Sequence, residues 1–158
     1  MERPEMEARD DTLEQIAAIV GRVQPTDTRF ISVATVVGAA LRRVLSAEKT
    51  AQQAAISLAQ QTQMNQARQE TSNMIETLGR VLPQRVSLEK VEAKEEPSWW
   101  FALSEATHVL EETIEQLSAL VKRQEKASAI RDLIAQILRL LREHYNIFLE
   151  QGRNYMDG

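Results

Sequence analysis

Glu105 and His108 stand three residues apart, and Glu112 and Glu115 continue on nearly the same face if this stretch is helical. A Glu-x-x-His pair sets a carboxylate and an imidazole one turn apart, the donor set with which helix bundles hold two carboxylate-bridged metal ions. Such a site needs a second pair from another helix. The other histidine, His144, has Leu141 where that carboxylate would stand, so the four residues read as a solvated acidic face. Two histidines on one expected helix give no Ser-His-Asp set, and the five glycines are scattered rather than gathered into a phosphate loop. Without cysteine there is no thiolate metal ligand and no disulfide framework. The expectation is a non-enzymatic chain with no cofactor and no metal.

Two further groups could do binding chemistry. Lys122, Arg123 and Lys126, with Arg131 beyond them, form a basic patch that follows the acidic turns of Glu105 to Glu115. Runs of this kind are usually solvated faces, but segregated charge can also steer pairing with a partner of opposite sign. Trp99, Trp100 and Phe101 gather both tryptophans and one of three phenylalanines. Large aromatics with a polar tip anchor interfaces, or they plug the end of a core. The net charge of -4 disfavours wholesale binding to nucleic acid, leaving only the local patch for that role.

The elements that must position these residues are announced by proline. All four lie at Pro4, Pro25, Pro83 and Pro97, so the tracts 26–82 and 98–158 are free of it. A proline inside a helix costs about 3 kcal/mol, and these tracts are therefore open to long helices. Aromatics at 4% and charged residues at 27% also suit a helical bundle rather than a sheet. The fold class expected is all-α. Met1 to Asp10 reads as a flexible tail; Asp11 and Glu14 have capping-box spacing for a short helix over 11–23; and Thr26 to Thr28 can cap a helix over 28–82. A charged linker follows over 83–97, and a third helix over 98–151, capped by Ser98, runs into a tail over 152–158.

Helix 28–82 keeps three-or-four spacing of apolar residues but turns small and glutamine-rich between Thr50 and Asn73, and helix 98–151 keeps a heptad that weakens at Gln124 and Arg131. Folding the two tracts back through the linker pairs residues whose numbers sum to about 180. This predicts a long antiparallel, coiled-coil-like hairpin, with the first helix completing a three-helix bundle at its base. Ile130, Leu133, Ile134, Ile137, Leu138, Leu141, Tyr145 and Phe148 spread wider than one partner helix covers, so they are expected to form the core or an interface with a second copy. Asn65, Gln124 and Arg131, as polar seam residues, are expected to set register.

The longest uncharged stretch, Phe30 to Leu41, would rise only about 18 Å as a helix. A hydrocarbon core is about 30 Å thick, so no membrane insertion is expected. Met1 to Asp11 is charged and lacks the apolar run of a secretory signal. The resulting expectation is a cytoplasmic, self-associating helical scaffold or adaptor that binds itself and a protein partner. The alternative is an oligomeric regulatory accessory that touches nucleic acid through the basic patch.

Overall fold

The computed structural model describes residues 4–24, 26–82, 98–126 and 128–157, with side chains described between 11 and 155. Among these residues there are five helices and no strand: α1 (Pro4–Gly21), α2 (Thr28–Ala54), α3 (Leu58–Leu78), α4 (Trp99–Lys122) and α5 (Ala129–Asp157). The all-α class stands. The two long helices do not: the tract expected as one helix over 28–82 is α2 and α3, and that over 98–151 is α4 and α5. The expected linker over 83–97 lies outside the described residues. Both expected tails are shorter, since α1 starts at Pro4 and α5 runs to Asp157.

The first break falls in the glutamine-rich middle, and the glutamines explain how it is tolerated. Ala55 leaves the helix in an extended conformation (φ -61°, ψ 136°) and Ser57 caps α3 by accepting the Gln60 amide. The backbone groups freed by the turn are taken up by side-chain amides: Ile56 N–H donates to Gln60 Oε1 at 3.3 Å, and Gln61 Nε2 donates to the Ala55 carbonyl at 3.2 Å. A helix end buried without partners would be costly, so this turn needs such residues in place of glycine or proline. The second break uses the same device. Gln124 Nε2 donates to the Leu120 carbonyl at 3.1 Å, and Ser128 Oγ accepts the Arg131 amide at 3.3 Å to start α5.

Folding each tract back on itself has an energetic reason. A two-helix hairpin of about 80 Å leaves half of each apolar face wet, whereas four shorter helices bury both. α2 packs on α3 and α4, and α5 packs on α4, α3 and α1, with a lesser contact to α2. Cross-links give the directions. Arg29–Glu125 (3.5 Å) and Arg43–Glu112 (2.8 Å) make α4 antiparallel to α2, while the pairs Gln63–Gln151 and Glu70–His144 make α5 antiparallel to α3. The neighbour of α4 is thus α2, and the sum-to-180 pairing of the hairpin gives way: Leu82 lies over Gly38 of α2.

The core runs the length of this ring, through Val37, Leu41 and Val44 of α2, Met64 and Met74 of α3, Leu103, Leu110 and Leu117 of α4, and Leu133, Ile137 and Phe148 of α5. Ile16, Ile19 and Val20 of α1 close it against α5 and α3. The wide apolar face of α5 is therefore covered within one chain. Ile130, Leu133, Ile134, Ile137, Leu138, Leu141 and Phe148 are buried, and Tyr145 packs at the margin. Among the described residues one helix, α2, is long and apolar enough by length and mean hydropathy alone to cross a membrane, but its buried apolar residues face this core.

Candidate functional site

Two places in the bundle depart from the usual partition of apolar inside and polar outside. The first is a charged layer in the core. Glu48 of α2, Glu70 and Thr71 of α3, and His144 of α5 all occupy positions of the inward stripes, and all four are buried. His144 Nε2 lies 2.9 Å from Glu70 Oε1, and its Nδ1 lies 3.0 Å from Glu48 Oε2. The Thr71 hydroxyl donates to Glu48 Oε1 at 2.6 Å, while His144 Nδ1 stands 3.4 Å from Thr71 Oγ1. Glu48 Oε2 makes no aligned hydrogen bond, so its contact with Nδ1 is one of charge rather than direction.

Burial alone would push the His144 imidazolium to a lower pKa. The Glu48 charge above all, then the Glu70 hydrogen bond and charge, overturn that and raise it from 6.5 to about 9. The ring is therefore a cation held between two carboxylates, and a buried charge that is paired and hydrogen-bonded is the kind that proteins accept. Its two nitrogens face different carboxylates, so one ion could not touch both while keeping these contacts. Among the described residues no group of three or more His, Cys, Asp or Glu has the geometry of a metal site. The layer is closed to solvent and ties three helices at one level.

Sequence reasoning missed this layer. The signal was there: Glu48 continues the Leu41, Val44 and Leu45 stripe, and His144 falls between Leu141 and Phe148 at helical spacing. The residues expected to set register lie elsewhere. Asn65 is half-buried and accepts from Gln52 at 3.1 Å and Arg68 at 2.9 Å, linking α2 to α3 near their turn. Gln124 sits in the α4–α5 turn, where its carbonyl receives Arg131 Nη1 at 3.5 Å. The Glu105, His108, Glu112 and Glu115 set lies on the outer side of α4. His108 Nε2 pairs with Glu112 Oε1 at 2.7 Å, and Arg43 holds the Glu112 carboxyl below its usual range.

The second departure is an exposed apolar end. The α2–α3 turn, the first turn of α4 and the last turns of α5 lie at one end of the bundle, as the antiparallel pairings require. Gln151 bonds Gln63, and Trp100 stacks on Tyr155 with ring centroids 5.1 Å apart. Among the described residues, five of the six large apolar side chains that stand exposed belong here: Ile56 at 70%, Leu58 at 78%, Trp100, Phe101 and Tyr155. The aromatic cluster divides, because Trp99 is buried at 5% as a plug of the core while Trp100 and Phe101 face out. Beside them a groove of about 370 Å³ runs between α4 and α5, floored by Leu103 and Phe148. Gly152 lines it, and a Cβ there would make ordinary contacts with Leu103 at 3.8 Å and Trp100 at 3.9 Å.

The opposite end is polar. Lys122, Arg123 and Lys126 are exposed in the α4–α5 turn, close to Glu125, which pairs with Arg29. Compared with protein-family models, curated proteins and solved structures, the chain matches none.

Proposed function

We propose that this chain is a non-enzymatic helical assembly protein that works by docking its apolar end on another protein surface. The single observation behind this reading is that five large apolar side chains stand exposed at one end of the bundle. Scattered surface apolars are ordinary, but a contiguous patch is the mark of an interaction site. Trp100, Phe101 and Tyr155 are also the residue types that anchor interfaces. The buried charged layer serves this function indirectly, by holding α2, α3 and α5 in the alignment that brings the α2–α3 turn level with the last turns of α5. In this reading α2 is a core helix of the bundle.

A photo-crosslinking side chain placed at Phe101 tests the proposal, with the isolated exposed position Val36 as control. Discrete protein adducts are expected from Phe101 and none from Val36; equal labelling from both, or none from either, would remove the reading. Nucleic-acid binding is the alternative, supported by exposed Lys122, Arg123 and Lys126 at the other end. It predicts a salt-sensitive mobility shift of labelled DNA or RNA that is lost on reversing those charges.

A further inference from the structure

We propose that the occupant of the apolar end is a second copy of this chain, docked end to end about a two-fold axis; this rests on the reading of that end as a docking surface. The argument is one of self-complementarity. A two-fold interface places the same patch on both copies, and groups near the axis meet their own copies, so a charge there is repelled. From Thr50 to Ala67, which covers the whole α2–α3 turn, the chain has no Asp, Glu, Lys or Arg, and none occurs from Ser98 to Ser104. Among the described side chains, Arg153 in the last turns of α5 is the charge closest in sequence to Tyr155, with exposed Glu150 one turn before it; Glu95, Glu96 and Asp157 lie outside the described side chains.

The polar groups around the patch point the same way. Gln53 and Asn154 are exposed at this end, and a carboxamide carries both donors and an acceptor, so it can pair with its own copy where a charged group cannot. The other end, with Lys122, Arg123 and Lys126, would repel a copy of itself. The same lack of charge argues against other occupants: an anionic lipid surface calls for flanking Lys or Arg, and a nucleic acid for several. Area sets the strength. The end of a four-helix bundle is about 20 Å across, or about 400 Å² of footprint per copy. The total of about 800 Å² is below the roughly 1,000 Å² of a stable interface, so the dimer is a weak, transient one that should dissociate on dilution.

Sedimentation or light scattering over a wide concentration range tests this. The expected result is a reversible monomer–dimer equilibrium, with small-angle scattering from the dimer fitting a rod of about twice the monomer length. The change Leu58→Asp with Phe101→Asp should weaken dimerisation at least tenfold while leaving thermal unfolding of the monomer unchanged. Lys122→Glu with Arg123→Glu should leave it unaltered. A dimer that scatters as two bundles side by side, or that survives the aspartate changes, would overturn the proposal. So would a chain that stays monomeric at millimolar concentration. If that monomer still gives adducts with other proteins from Phe101, the docking surface stands and only the second copy is lost; with no adducts, both fall. Protection of Leu58 and Phe101 from hydroxyl-radical oxidation in a strict monomer would assign the surface to the chain's own 83–97 segment, again against the second copy.

Discussion

The core layer at His144 and the surface at Leu58 and Phe101 invert each other: charge is buried in one, and large apolar side chains are wet in the other. Both run against the ordinary partition, yet their energetics differ. A buried charge that loses its partner keeps the full desolvation cost, so the Glu48–His144–Glu70 layer rewards one alignment of α2, α3 and α5 and penalises all others. An exposed Leu58 loses hydrophobic stabilisation but creates no unsatisfied group, so nothing in the monomer depends on where it points. The inside is specified by the chain itself, and the outside is where we propose that a second copy docks.

The comparison breaks most sharply at His144. The change His144→Leu should cost about 3–5 kcal/mol in urea unfolding, because two buried carboxylates lose their cation. Replacing Glu48, Glu70 and His144 together by leucine should recover most of that loss. If the triple variant is as unstable as the single one, shape rather than charge holds the layer and the contrast fails.

Thr71→Val should cost about 1–3 kcal/mol by the same measurement, since Glu48 Oε1 then loses its donor. Stability should also fall as the solution becomes alkaline. The folded protein holds the His144 proton to about pH 9, whereas the unfolded chain releases it near 6.5. The stabilisation is complete below about pH 6.5 and is lost as the pH rises through about 9. A His144→Leu variant measured alongside should lack this slope. The smallest effect belongs to the surface: Leu58→Ser should change monomer stability by no more than about 0.5 kcal/mol. A loss several times larger would mean that Leu58 is part of the fold rather than free for docking.

Much of the fold was legible before any coordinates. Proline placement and apolar spacing announced helices, Ser98 caps α4 as its position suggested, and the α5 stripe is buried as its width required. The two breaks were not legible in the same way. Neither the 55–57 turn nor 124–126 contains glycine or proline, and the turns rest on glutamine and serine side chains whose role depends on a hydrogen bond. Ser57 and Gln60 do have capping-box spacing, a signal hidden by the unbroken apolar pattern around it. Of the proposed docking surface, Trp100 and Phe101 could be nominated from sequence. Ile56 and Leu58 could not, because a residue beside an unforeseen turn reads as one more helix position.

The sequence by itself determined that this chain is helical, where α2 and α4 are capped, and which stripes seek burial, because those properties depend on residues within a turn or two of each other; the cap expected at Asp11 lies inside α1, which starts at Pro4. Only the tertiary structure decided that Glu48, Glu70 and His144 share one layer, and that Leu58, Phe101 and Tyr155 share one end. The physical reason is separation along the chain. Such groups meet only after both tracts have folded back, and the folding back is driven by the burial of faces that a straight hairpin would have left in water.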